Sequence, residues 1–239
     1  MSERLTLLGI SASPRKGGNS EYLLDEALRT AEQYGRAKVK TERVAFAGTS
    51  LSPCLGCYGC IDAKGECVIS DGFQAIRDAW LGADAILYSI PVFAMSIPGQ
   101  LKCFFDRLAN SLIFNENVSA QKLKATATVA QGMHFSAGQE STIREMANLS
   151  MLLGGLPVAG KSYNGVRGWT YQKLSRSTYR KRTEAEDPET VQLLGEVREL
   201  TDTLLTVALV VRSGLRAHAD WLGEVPEFRS AVESLSRPG

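Results

Sequence analysis

The chain has almost no histidine. His134 and His218 are the only two among 239 residues, so a Ser-His-Asp arrangement has little to be built from. It also lacks an excess of either charge. A formal net charge of +1 argues against a protein whose business is holding nucleic acid. Long apolar runs are missing too. The longest mostly apolar stretch near the C-terminus, Leu204 to Val211, is far below the roughly 20 residues a membrane span needs. At the start, MSERLTLLGISAS carries an apolar run too short and too early for a secretory signal, with Pro14-Arg15-Lys16 directly behind it. No internal repeat is visible. Together these absences predict a cytoplasmic chain with neither a membrane nor a nucleic-acid partner. At 44% hydrophobic and 22% charged residues the composition is that of ordinary globular material. The length suits a single α/β domain with appendages.

Cysteine is scarce overall but concentrated. Four of the five cysteines, Cys54, Cys57, Cys60 and Cys67, lie in PCLGCYGCIDAKGECVISD, Pro53 to Asp71, at the spacing C-x2-C-x2-C-x6-C. In a cytosolic chain, clustered thiols bind metal or do redox chemistry more often than they form disulfides. A [4Fe–4S] cluster needs four thiolates, and consecutive C-x2-C spacings recurrently supply three of them from one stretch. Structural zinc is the competing ligand. Zinc ribbons, however, usually pair two separate knuckles across a hairpin. Redox-active thiols are the third alternative. Cys103 falls on the apolar face of a predicted helix and reads as a core residue.

Hydrophobic periodicity sets the fold class. Near-continuous apolar runs predict buried strands at Arg4 to Ile10, Ala83 to Ile90 and Lys124 to Gly132, and an alternating one at Val39 to Ala47. A short fifth strand is predicted at Leu156 to Gly160. Helical spacing predicts helices at Glu21 to Tyr34, Phe73 to Leu81, Leu101 to Leu112 and Glu140 to Leu153. A long last helix is predicted at Glu189 to Ala217, with Gly214 as a candidate break. Strands alternating with helices imply βαβ units. The expected architecture is a flavodoxin-like, doubly wound, five-stranded parallel sheet of order 2-1-3-4-5, with the cysteine loop after strand two. The domain is expected to span 1–187, with 188–239 as a helical C-terminal extension packed on it. Lys161 to Arg182 holds seven Lys or Arg and no Asp or Glu. It reads as an exposed loop or insertion, or else as a basic lid or subunit contact. The tail after Ala219 reads as an appended strand or short helix.

Ligands of such sheets bind beyond the carboxyl ends of the strands. After strand one comes SASPRKGGNS, Ser11 to Ser20. Its hydroxyls, Arg15 and helix-start backbone describe an anion site, but not the G-x-G-x-x-G of a dinucleotide fold. After strand three comes PVFAMSIPGQLKCFFDR, Pro91 to Arg107, an apolar wall. After strand four comes QGMHFSAGQES, Gln131 to Ser141, where Gly132, Gly138 and Gln139 offer polar groups to the edge of a flat ring. A phosphate loop, an apolar loop and a polar loop suit a flavin mononucleotide better than a nucleoside triphosphate. GLPVAGKS, Gly155 to Ser162, matches the P-loop pattern. It does so without a strand before its first glycine or a helix at its lysine.

SASPRKGGNS, PVFAMSIPGQLKCFFDR and the GQE at Gly138 to Glu140 resemble the NADPH-dependent FMN reductase family. With the compact cysteine motif, the chain is similar to that family's iron-sulfur flavoprotein branch over roughly Arg4 to Lys161. The resemblance implies a flavodoxin-like fold, bound FMN, a [4Fe–4S] cluster, and assembly as homodimers or homotetramers. It implies that Ser11, Ser13, Arg15, Asn19 and Ser20 hold the FMN phosphate. Pro91, Val92, Phe93, Met95 and Ser96 would then face the isoalloxazine, and Cys54, Cys57, Cys60 and Cys67 would ligate the cluster. The family often has tyrosine where this chain has Phe93. The expected activity is electron transfer between FMN and the cluster across a subunit interface. The alternative is an NAD(P)H-dependent FMN or quinone reductase whose cysteines are structural. Ferredoxin, NAD(P)H and a quinone are the candidate redox partners.

Overall fold

The structure, a computed structural model, describes residues 4–113, 123–160, 165–170 and 178–236. β1 (Arg4–Ser11) is followed by α1 (Asn19–Glu32) and β2 (Lys38–Ala45). The cysteine loop holds one short helix, α2 (Gly59–Asp62), and leads into α3 (Phe73–Gly82). β3 (Ala85–Pro91), α4 (Gly99–Ile113), β4 (Ala125–Gly132) and α5 (Gln139–Leu152) complete the regular βα units. The strands pair in parallel in the order β2-β1-β3-β4-β5, where β5 is Leu156–Pro157. This is the order predicted from the sequence.

The fifth position in the sheet is built differently from the expectation. β5 covers only Leu156–Pro157, although Val158 N–H still donates to Thr126 O at 2.7 Å. Pairing to the same strand then resumes with β6 (Val166–Trp169), which runs parallel to Val129–Gly132. The edge is therefore one strand in two pieces. Its second piece lies within the basic segment, which reads as a loop by composition alone. Gly165 is needed at the rejoining point, because a Cβ there would stand 2.4 Å from Thr128 O. The segment also holds the start of α6 (Thr178–Glu184), whose Tyr179 is buried. Residues 161–164 and 171–177 of it lie outside the described residues, as does the Asn117-Val118-Ser119 glycosylation pattern.

Side chains alternate across the sheet with period two. Leu5, Leu7, Ala85, Leu87, Ala127 and Val129 face α1 and α7 (Pro188–Ala217). Ile10, Ile86, Tyr88 and Ile90 face α3, α4 and α5, whose Phe73, Trp80, Phe104, Phe105 and Met146 fill the second core. α7 runs for 30 residues and passes unbroken through Gly214. It starts on Pro188 behind an Asp187 cap that accepts from Thr190 N at 2.9 Å. The tail is helical: α8 (Ala219–Glu224) and α9 (Pro226–Glu233) fold back beside the end of α7. Cys103 packs at the edge of the second core, as expected. At Gly155 a helix precedes the glycine and a strand follows it, the reverse of a P-loop. Among the described residues no helix is long and apolar enough to cross a membrane.

Candidate functional site

The three loops expected to converge do converge, because β1, β3 and β4 are neighbours and their carboxyl ends lie together. Ala12 N–H donates to Ser89 O at 3.0 Å, and the Ser89 hydroxyl donates to Ser20 O at 2.7 Å. Val92 N–H donates to Gln131 O at 2.8 Å. Ser141 Oγ reaches across to Met95 O at 2.6 Å.

The first loop is shaped for an anion. α1 begins at Asn19 behind Gly18, and no side chain caps it, so its first N–H groups carry the positive end of the helix dipole. Ser11 Oγ is buried at the end of β1 and has no hydrogen-bond partner among the described residues. A buried hydroxyl without a partner is costly unless something else arrives to satisfy it. Ser13 Oγ accepts from Arg15 N–H at 3.1 Å and so shapes the turn. Arg15 is exposed. Ser20 is buried, and Asn19 Oδ1 is engaged by Tyr179 N–H at 3.3 Å. One residue that the sequence does not single out is prominent here. Glu21 is buried in the first turn of α1, where its Oε2 accepts from Gly17 N–H at 3.0 Å and from Arg43 Nη2 at 3.0 Å.

The loop after β3 is a tight two-residue turn. Phe93 and Ser96 exchange both backbone hydrogen bonds at 3.0 Å, and Ala94 and Met95 between them have φ of 48° and 68°. Two left-handed residues make this a type I′ turn, which normally recruits Gly or Asn. Here Ala and Met hold it at a cost of about 1–2 kcal/mol each. Such strain persists only when the surroundings over-determine it, and the surroundings are visible. Glu145 accepts from Ser96 Oγ at 2.6 Å, and Ser141 holds Met95 O. Gly138, at φ 97°, lies so close that a Cβ would stand 2.6 Å from Met95 Cα. Phe93 and Met95 are consequently displayed to solvent, as are Met133 and Phe135 of the loop after β4. Pro91 is buried and Val92 half-buried. The Ser96 hydroxyl points to Glu145. The Gln139 amide is used inside its own loop, donating to His134 O at 2.6 Å and accepting from Ala137 N–H at 2.9 Å. A Cβ on Gly132 would meet that amide at 2.7 Å. His134 stacks on Phe135 with ring centres 4.4 Å apart.

The cysteines form a second site. Cys54, Cys57, Cys60 and Cys67 all line one concavity, together with Leu55, Tyr58, Val68 and the α4 residues Arg107 and Asn110. Left-handed backbone at Gly56, Tyr58, Lys64 and Gly65 curls the loop into this shape. Cys54 Sγ accepts from Gly56 N–H and Asn110 Nδ2, each at 3.5 Å. Among the described residues, no three or more His, Cys, Asp or Glu side chains are gathered as they would be around a single ion. Burial pushes the Cys60 thiol up, against its own N–H, and the neighbouring cysteines add to the rise.

A buried ion pair closes the loop. Arg107 Nη1 donates to both carboxylate oxygens of Asp71 at 2.9 and 2.7 Å, and their side chains are 1% and 8% exposed. Asp71 also accepts from Ser52 N–H at 2.8 Å and Phe73 N–H at 3.0 Å. Arg107 adds Ser52 O at 3.3 Å, Ile69 O at 3.2 Å and the Cys67 sulfur, and it lies 4.2 Å from the Phe73 ring centre. The two ends of the loop are thereby fixed to each other and to α4. Burial alone would raise the Asp71 carboxyl, but Arg107 and the two N–H donors overcome it and hold the group at about 2. Ser111 grips the loop a second time, donating to Gly65 O at 2.7 Å while accepting from Arg77 Nε at 2.9 Å.

Comparison with known proteins bears on the family and the fold. Residues 5–169 match the NADPH-dependent FMN reductase family. The chain is 32% identical to an iron-sulfur flavoprotein of Methanosarcina thermophila over 196 residues, which is 82% of this chain and 96% of that protein. It is 32% identical to one of Methanocaldococcus jannaschii over 62% of this chain and 72% of that protein. Among solved structures, RosB with a bound 8-demethyl-8-formylriboflavin-5'-phosphate intermediate shares the fold. Its TM-score is 0.66 at 15% identity, over 92% of this chain and 87% of the other. The family match over residues 5–169 and the likeness to named iron-sulfur flavoproteins, on a flavodoxin-like sheet that carries a four-thiol loop, place the chain in the NADPH-dependent FMN reductase family as an FMN-dependent oxidoreductase of the iron-sulfur flavoprotein branch.

Proposed function

We propose that the chain is an electron-transfer flavoprotein that pairs its FMN with a [4Fe–4S] cluster held by Cys54, Cys57, Cys60 and Cys67, and that two subunits complete the path. The observation that carries this reading is the lining of one concavity by all four thiols. The donor set fits. Four cysteines lining one concavity can offer one thiolate to each iron of a cluster, and among the described residues they are not gathered as they would be around a single ion. Backbone and amide N–H groups aimed at Cys54 Sγ, and the Arg107 guanidinium at Cys67, offset the negative charge of such a centre.

When bound, FMN supplies hydride or two-electron chemistry and a cubane supplies single electrons. The chain's own residues supply place and environment. Ser11, Ser13, Arg15, Asn19, Ser20 and the α1 start would hold the phosphate. The Phe93–Ser96 turn would present Val92, Phe93 and Met95 to one side of the ring. Gly132, Gly138 and Gln139 would form the backbone at its polar edge.

The subunit contact rests on α4. Its first residue, Gly99, adjoins the Phe93–Ser96 turn, whereas the cysteine loop packs on Arg107, Asn110 and Ser111. At 1.5 Å per residue those positions lie about 12–18 Å further along the helix. Exposed Leu55, Tyr58, Ile61 and Val68 surround the thiols, and exposed Phe93, Met95, Met133 and Phe135 surround the flavin loops. Apolar patches of this kind mark association surfaces. Joining the thiol patch of one subunit to the flavin patch of the next would shorten the path between centres. The test is anaerobic purification with metal analysis, an absorption spectrum and sedimentation. Brown oligomeric protein with about four iron and four sulfide per chain is expected. A yellow preparation with about one zinc per chain would instead favour a flavin or quinone reductase with structural cysteines.

A further inference from the structure

A carboxylate inside an anion site needs a reason. Glu21 stands buried at the third position of α1, in the loop proposed to seat the FMN phosphate. Its role is inferred on the basis of that proposed seat. Two groups face it. Gly17 N–H, from a residue at φ 67°, donates to Oε2 at 3.0 Å and so fixes the crown of the loop. This is a variant of the capping box, in which a third-position Glu reaches back to the chain before the helix. Arg43, from β2, donates to the same oxygen at 3.0 Å while its Nε bonds Asp25 at 3.1 Å. The carboxylate's shape is useful to the loop, but its charge opposes a phosphate dianion seated at the same helix start.

We infer that Glu21 and Arg43 form a charge-compensated positioning pair: Glu21 preforms the loop, and Arg43 cancels its charge so that the site selects flavins carrying a phosphate. Neither residue needs to touch the ligand. Arg43 acts from β2, by offsetting the charge of Glu21. That distinguishes it from Arg15, which is exposed on the loop itself and is proposed to meet the phosphate directly.

The arrangement predicts single variants of opposite sign whose effects largely offset each other when combined. Full-length chain stripped of flavin is titrated with FMN and with riboflavin, which differs only in lacking the phosphate. Arg43→Ala should weaken FMN binding about tenfold, the effect of one uncompensated charge near a partly buried anion, and leave riboflavin within about twofold. Glu21→Gln keeps an acceptor for Gly17 and should tighten FMN several-fold, again sparing riboflavin. In the double variant, most of the loss caused by Arg43→Ala should disappear. Arg43→Gln is made alongside Arg43→Ala, keeping a donor should the alanine variant fold poorly, and the same sign is expected. Equal weakening of both flavins would assign Arg43 to scaffolding and overturn the inference. So would a Glu21→Gln variant that binds FMN no tighter than the native chain, or a double variant that binds FMN as weakly as Arg43→Ala alone, since Glu21 would then carry no charge that the phosphate feels. Native chain that binds neither flavin would instead remove the flavin reading, and the role of the pair with it.

Discussion

Replacing Asp71 with asparagine keeps the shape of the group that closes the cysteine loop and removes its charge. Arg107, with a side chain only 1% exposed, would then be buried without its counter-ion. Breaking a buried pair from one side typically costs about 3–5 kcal/mol. A second magnitude comes from titration. The carboxyl sits at about 2 rather than its ordinary 3.8, so its ionised form contributes about 2 kcal/mol to stability at neutral pH. Because the folded value is the lower one, this contribution is complete above about pH 4. It is lost as pH falls toward 2, with about half gone at pH 3. Urea unfolding of the native chain and of Asp71→Asn should be compared at pH 6 and pH 3. At pH 6 the variant should be less stable by about 3 kcal/mol. Between the two pH values the native chain should lose about 1 kcal/mol more than the variant, which has no carboxyl to protonate there. Iron loading under anaerobic reconstitution should fall with it, because both ends of the loop lose their tie. Parallel pH profiles for the two chains, with undiminished iron uptake, would refute the reasoning.

Three further outcomes concern backbone and burial. Gly138→Ala forces a left-handed Cβ against the Met95 backbone and should cost more than about 2 kcal/mol in thermal or urea unfolding, with weaker FMN binding because the flavin-facing turn must move. Ala94→Gly should raise stability by about 1 kcal/mol, since glycine adopts φ 48° without penalty; a destabilised variant would show that the turn is not strained. Tyr179→Phe should be neutral or stabilising by up to about 1 kcal/mol in urea melts, since the buried hydroxyl has no partner among the described residues.

The sheet order was legible because β1, β3 and β4 carry buried, near-continuous apolar runs and β2 carries an alternating one, and such runs have few alternative readings. The last edge was legible only in its first piece: Leu156 to Gly160 reads as a short strand, whereas Val166–Trp169 is too short to register as one and is embedded among arginines and lysines. Pairing with β4 makes it a strand; no local signal does. Tyr179 was hidden for the same reason. Its place in the core depends on α6 folding against α1 and α7, a long-range fact.

The sites divide along the same line. Thiols and glycine-rich loops announce themselves by composition. The residues that hold them do not, since Asp71, Arg107, Glu145 and Glu21 are ordinary charged residues of a mixed-charge chain. Asp71 ends the cysteine stretch and Arg107 ends the apolar one, 36 positions apart, and nothing in either stretch says that they meet. One signal was available. Asp71-Gly72 stands directly before a helical run, the place for a residue that satisfies a helix start. It accepts Phe73 N–H there, as that position suggests. Its other partners, Ser52 and Arg107, reach it only once the chain leaving β2 and the helix α4 have been brought side by side. Loop and clamp are thus specified at different levels. The cysteines could be carried to another fold as a motif, but the pair that shapes their cavity belongs to this one.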